Sequence, residues 1–315
     1  MGKDRRPLAV MMSKRANVFY LEHVRLFQKD DRLMYLTETG QPIEKIVNIP
    51  AKNTAFILLG KGTSITDAAA RKLAESNIML GFCGSGGSPL FGATDITFLS
   101  PQDEYRPTEY LQQWARLWFN ESSRLTLAKT FLRQRIQWDV AFWKKFELEV
   151  RPDMTERFEN EIVAAIDVEH LLSAEAHYAK ALYGYLAATH NLAFSRNEGQ
   201  RAKGTASELV NSYLDHGNYI AYGYAACALH VLGISYSFPV LHGKTRRGAL
   251  IFDVADLIKD WLVMPLAFQY GSAGRKDNEF RAALIDRAQE HEVLDLLVTF
   301  IKYSVENNNK NIQLS

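Results

Sequence analysis

The chain has 315 residues, 47% of them apolar and 23% charged, which allows two domains or one large one and is ordinary for a soluble globular protein. Lys and Arg number 37 against 36 Asp and Glu, so net charge favours no class of partner, and any grip on nucleic acid must come from local basic patches. Two cysteines, Cys83 and Cys227, exclude a disulfide framework and a cysteine zinc site and suit a reducing cytoplasm.

The start, Met1-Gly2-Lys3-Asp4-Arg5-Arg6, lacks the apolar core of a signal peptide, and Arg6 stands where a myristoylation signal needs Ser or Thr. The next hundred residues read as strand-rich. Val18-Phe19-Tyr20-Leu21, Leu33-Met34-Tyr35-Leu36 and Ala55-Phe56-Ile57-Leu58-Leu59 are short bulky runs punctuated by Gly, Pro and Asp. One helix is expected over 66–76, capped near Ser64 and closed by Asn77, and a strand over 78–82 runs into Gly84-Ser85-Gly86-Gly87. Residues 97–108, with Pro101 and Pro107, read as a linker.

Beyond it, apolar residues recur three and four apart. Helices are expected over 107–121, 122–136, 138–148, 154–190, 205–232, 253–269 and 280–306, some of them split. The most apolar stretch, 221–241, is broken by His230, Gly233, Ser235, Ser237 and Pro239, and is too interrupted to span a bilayer. The expected fold class is therefore α+β: a small β-rich domain over 1–100 and a larger all-helical domain over 101–315, soluble and cytoplasmic.

Two constellations carry chemistry. Glu175 falls in the middle of an apolar helical stripe of Leu171, Leu172, Tyr178, Ala179, Leu182 and Leu186, with Glu169, His170, His177 and Lys180 opposite. A carboxylate there needs a cation or hydrogen bonds; a structural ion pair with a core Arg or Lys is the plain alternative to a functional role. The second runs over 242–259, His-Gly-Lys-Thr-Arg-Arg-Gly-Ala-Leu-Ile-Phe-Asp-Val-Ala-Asp-Leu-Ile-Lys. Gly243 and Gly248 bracket a basic loop, and a helix beginning near Asp253 sets Asp253, Asp256 and Asp260 on one face. Simple N-capping by Asp253, with Asp256 in the first turn, would also explain the two acids, and the basic loop could be a solvated turn. A histidine with carboxylates suits Mn²⁺ well and Mg²⁺ acceptably, and Lys244, Arg246 and Arg247 are what a phosphate-bearing substrate needs.

Other signals are weaker. Gly60-Lys61-Gly62-Thr63 has the wrong glycine spacing for a phosphate-binding loop, Cys83 reads as a buried thiol, and His190, His216, His230 and His291 form no metal-spaced pair. Arg124, Lys129, Arg133 and Arg135 read as a solvated helix face.

With these residues in view, the chain resembles the CRISPR-associated integrase, also described as a DNA endonuclease, of spacer acquisition. Glu175, Ala176, Ala179 and Tyr183 match that family's acidic helix, and Leu241-His242, Gly248, Asp253 and Asp256 match its second motif in order and spacing, with Lys259 at a basic position of some relatives. The wording of the second motif looks most like a type I system, subtype I-F. Between the motifs only Asn211, Leu214 and Gly217 agree with the family pattern, and Asp215, His216 and Asn218 depart from it, which leaves that helix without an assigned role.

The resemblance implies that Glu175, His242 and Asp256 hold Mg²⁺ or Mn²⁺ with Asp253 as an auxiliary catalytic group. It further implies that Lys244, Arg246, Arg247 and Lys259 contact double-stranded DNA, and that a DNA 3′-hydroxyl or water attacks the phosphodiester. It also implies a homodimer bridged by a small ferredoxin-like adaptation subunit, free or fused to a helicase-nuclease; the β-rich domain, which shows little chemistry, is expected to serve dimerisation. Read from the residues alone, another Mn/Mg-dependent phosphodiesterase and a non-catalytic DNA-binding assembly module remain the alternatives.

Overall fold

The computed structural model describes residues 14–37, 45–83, 108–198, 204–243 and 248–313. They divide into two compact units, one ending at residue 83 and one running from residue 108. The expected linker lies outside the described residues except for Thr108.

In the first unit the bulky runs form strands. β1 (Asn17–Leu21), β5 (Thr54–Leu59) and β7 (Met79–Phe82) make a parallel sheet in the order β1-β5-β7. β5 is buried along its whole length, as the centre of a parallel sheet requires. β2 (Val24–Lys29) and β3 (Arg32–Thr37) pair as a hairpin through Asp30 and Asp31, both at positive φ, and with β4 (Ile46–Ile49) and β6 (Ser64–Ile65) form a second sheet in the order β4-β3-β2-β6. The one α-helix among the described residues of this unit, α1 (Asp67–Glu75), is capped by Thr66, whose hydroxyl accepts from the Ala69 amide; Ser64 belongs to β6. Asn77 at φ 53° and the Ile78 amide on the Leu73 carbonyl close α1, a left-handed cap that Asn tolerates. Leu26, Leu33, Ile57, Leu59 and Leu73 form the core between the elements.

The second unit consists of helices among its described residues: α2 (Glu109–Phe119), α3 (Glu121–Phe142), α4 (Pro152–Ala164), α5 (Val168–Thr189), α6 (Ala206–Val231), α7 (Ala249–Ile258), α8 (Met264–Ser272), α9 (Asp277–Glu290) and α10 (Val293–Gln313). Together the units make an α+β protein. Several expected boundaries differ, and the helices expected over 122–136 and 138–148 are joined in α3, which ends at Phe142 in a 3-10 turn. The helix expected over 154–190 breaks at Ala165–Asp167, where Asp167 accepts from the His170 amide and starts α5 afresh. The last helix divides at Glu292, at φ 48°. The helix expected from Asp253 starts four residues earlier, at Ala249, because Gly248 supplies the left-handed turn at φ 75°. α7 also passes into a π turn, Lys259–Val263, before α8.

α6 is the axis of this unit. From Tyr219 to Leu229 every residue is buried, which accounts for the apolar stretch as a helix enclosed on all sides by protein. Among the described residues, no helix is long and apolar enough to cross a membrane. α8 lies close against α6: a Cβ on Gly271 would stand 2.8 Å from the Val210 backbone nitrogen.

Candidate metal centre

The centre assembles from α3, α5, α7, the π turn and the segment that ends at His242. Indole groups of α2 hold the approach to that segment: Trp114 donates to the Phe238 carbonyl at 3.0 Å and Trp118 to the Pro239 carbonyl at 2.7 Å. Asp253 then takes over. Its carboxylate, with no side-chain exposure, accepts from the Val240, Leu241 and His242 amides at 2.6, 3.3 and 3.0 Å and lies 2.7 Å from His242 Nδ1. Asp253 therefore does not cap α7, and Asp256 lies two turns inside the helix, so the capping alternative fails on geometry.

Hydrogen-bonding of Nδ1–H to Asp253 selects the tautomer whose Nε2 lone pair faces outward. Nε2 lies 3.8 Å from Asp256 Oδ2, and one donor atom each from Glu175, His242 and Asp256 lie within 4.8 Å of one another. Bonds of about 2.0–2.6 Å to a shared ion separate its ligands by at most about 4–5 Å, so the three donors can surround one ion. Two carboxylates and an imidazole are a hard, mixed O/N set that suits Mg²⁺ or Mn²⁺.

The electrostatics favour a cation. Burial raises the Glu175 pKa more than the facing Arg135 guanidinium lowers it, with Asp256 adding to the rise. For Asp256, burial is outweighed by Lys259, Arg135 and His242, and its carboxyl is held below the ordinary range. For His242, burial works against the charged ring, but the Asp253 hydrogen bond and the Asp256 charge win and raise its pKa. A metal ion at Nε2 must displace that proton, which the surrounding negative charge makes a competition between two cations.

Lys259 lies against Asp256 as an ion pair and sits 5.5 Å from the Tyr222 ring centre. Lys244, Arg246 and Arg247 fall outside the described residues, although Gly243 and Gly248 on either side are described.

Sequence reading missed Arg135. Far from a solvated face, it is 3% exposed and joins Glu175 to Asp260: Nη1 pairs with Glu175 Oε1, while Nε and Nη2 donate to Asp260 Oδ2 at 2.9 and 2.6 Å. The signal was present, since Leu127, Ala128, Phe131 and Leu132 precede it at helical spacings and are all buried. The helix left without a role also gains one. Asn211 accepts from Arg196 and the Asn197 amide and donates to the Ser195 carbonyl, and Asp215 pairs with Arg196 at 2.5 Å, so α6 fixes the strand of chain that follows α5.

The family model for the CRISPR-associated protein Cas1 matches residues 19–287 of this chain. The chain is 43% identical over 304 residues to the CRISPR-associated endonuclease Cas1 of Pectobacterium atrosepticum, with 92% of each covered. Its fold is similar to that of a TtCas1–DNA complex (TM-score 0.67, 19% identity, 92% of this chain and 91% of that one). It is equally similar to a casposase bound to integration product (TM-score 0.67, 15% identity, with the same coverage).

Proposed function

The chain belongs to the Cas1 family of CRISPR-associated proteins, and from that premise we propose how its own residues cut and join DNA. It is a DNA endonuclease and integrase of CRISPR adaptation, and it uses a divalent metal. The observation that carries the site assignment is the convergence of Glu175, His242 and Asp256 from α5, the segment after α6, and α7.

In this reading Glu175, Asp256 and His242 Nε2 hold Mg²⁺ or Mn²⁺, and Asp253 acts one step behind, fixing the ring and backbone of His242. A divalent ion in that position supplies Lewis acidity toward a phosphodiester oxygen and stabilises charge building at phosphorus. The side chains arrange the rest. The protein donates no nucleophile, so the attacking oxygen is a DNA 3′-hydroxyl in integration or water in hydrolysis, and no protein–DNA bond forms. As the new bond to phosphorus forms, the bond to the leaving 3′-oxygen breaks. Lys259, with Lys244, Arg246 and Arg247, neutralises the non-bridging phosphate oxygens and positions the double-stranded substrate.

The chain further acts as a homodimer through its strand-rich residues 1–100, leaving 101–315 for catalysis. It is bridged by a small ferredoxin-like subunit, free or fused to a helicase-nuclease, in a subtype I-F system. A symmetric interface burying well over about 1,000 Å² is expected; light scattering at micromolar concentration that finds only monomer removes this part of the reading.

The site assignment is tested by Asp256→Ala and His242→Ala in a Mn²⁺-dependent integration assay beside salt-titrated DNA binding. Both variants should lose joining by about 10³-fold or more. Asp256→Ala should bind DNA as well as wild type or slightly better, because removal of a carboxylate beside a phosphate relieves repulsion. Full activity in Asp256→Ala refutes the assignment.

A further inference from the structure

Glu175 is the one proposed ligand that comes from neither side of the His242–Lys259 segment, so its aim depends on how α5 meets α7. Two rungs tie α5 to α3. In the first, Arg135 pairs with Glu175; in the second, one turn farther along both helices, the Tyr178 hydroxyl donates to Asp139 Oδ2 at 2.9 Å. Tyr178 is itself clamped by Phe158, with ring centres 4.3 Å apart and planes 14° from parallel. On the other side Asp260 grips the Nε–Nη2 edge of Arg135, and the Asp260 carbonyl accepts from the buried Trp143 indole at 3.0 Å. Because a guanidinium is planar, an edge fixed at Asp260 fixes the direction in which Nη1 points.

We propose that Arg135 is a positioning residue for Glu175: anchored by Asp260 in the π turn, it holds Glu175 Oε1 and thereby leaves Oε2 directed at the metal. The inference rests on the metal-site reading above. Charge alone is the competing account, in which any buried cation that neutralises Glu175 and Asp260 would serve equally well. The two accounts part over geometry, since a lysine ammonium keeps the charge but has no rigid fork to join two carboxylates in one plane.

The test uses the full chain, with free Mn²⁺ followed by its electron paramagnetic resonance signal during titration, beside thermal melting and integration kinetics. Arg135→Lys should weaken Mn²⁺ binding by about 10–100-fold, the range for loss of a group that orients a ligand. The pair replacement Arg135→Met with Asp260→Leu removes both charges together, an exchange that buried ion pairs often tolerate. Because it also leaves the buried Glu175 without its cation, it should melt below wild type, and in its folded form it should show the same loss of affinity. Asp260→Asn, which keeps shape while weakening the anchor, should give a smaller loss in the same direction. Wild-type affinity, within about twofold, in any folded variant among the first two overturns the proposal, as does a folded Asp260→Asn with unchanged binding. If wild type fails to bind Mn²⁺, or His242→Ala binds it equally well, the site reading falls and the proposal falls with it.

Discussion

The two units bury different things. In the strand-rich unit, Thr54 is the only polar residue among the fully buried described residues, and its core is apolar. The helical unit buries Arg135, Asp139, Asn211, Asp215, Asp253, Asp256 and Asp260. Buried carboxylates and a guanidinium cost desolvation energy that equivalent apolar residues would not, and burial raises the Asp139 pKa well above the carboxylate range, with Asp260 adding to it. The first unit is thus organised for stability, and the second accepts a stability cost where its charged side chains converge.

Substitutions should therefore separate stability from chemistry in opposite ways in the two units. The largest combined effect is expected at Asp253. Asp253→Ala leaves three amides and an imidazole without their acceptor and should cost about 3–5 kcal/mol. It should also lower Mn²⁺ affinity about 10–100-fold, as read by urea denaturation and metal titration. A variant that retained wild-type metal binding would reduce Asp253 to a purely structural acid. In the other unit, Ile57→Ala, at a site with no exposure, should cost about 2–4 kcal/mol by leaving a cavity. Below its melting transition its Mn²⁺ affinity should match wild type; altered metal binding would break the separation.

Smaller effects are expected from two other sets of charged residues. Arg246→Ala and Arg247→Ala should each flatten the slope of log affinity against log salt by about one unit without changing Mn²⁺ binding. The least effect belongs to the α6–α9 contact, where His216 Nδ1 lies 2.5 Å from Asp277. Burial raises the Asp277 pKa, but His216 and Arg281 outweigh it and hold the carboxyl below its ordinary value of 3.8. A depressed folded pKa means that this stability is present above about 3.8 and is lost as pH falls through the lower, folded value. With a partly exposed pair, Asp277→Asn should cost about 1 kcal/mol or less at neutral pH, and the difference from wild type should shrink on acidification. A difference that grows toward low pH would reverse the sign and exclude this account.

What could be read from the sequence followed the same division. β1, β3, β5 and β7 carry contiguous bulky runs, whereas Arg25 and Gln28 bound the apolar pair of β2 and Asn48 interrupts β4, so neither offers a longer run. Glu175 was legible because its neighbours repeat at helical spacing, and in the structure it pairs with a core arginine and lies within reach of His242 and Asp256. The role of Asp253 was not legible, because its partners at 240–242 lie more than ten residues away in the chain and Gly248 starts the helix earlier than its acids suggest. The breaks before α5 and α10 contain no glycine or proline to announce them; Asp167 and Glu292 make them instead.

The π turn at Lys259–Val263 has a consequence for how this region tolerates change in length. A wide turn of this kind amounts to one residue inserted into an otherwise regular helix, so the spacing in sequence across it is one residue longer while the faces on either side keep their bearings. Asp256 and Lys259 are indexed to the phase of α7, while Leu266, Ala267 and Phe268 are packed in the phase of α8. Removing a single residue from the turn would give a uniform helix with both sets still on their bearings, whereas adding a second would rotate one set by about 100°, so that either the acids or the packed face of α8 would turn away. Point substitutions in α8 can be absorbed locally. A second inserted residue cannot, because this short turn already takes up the one extra residue between α7 and α8.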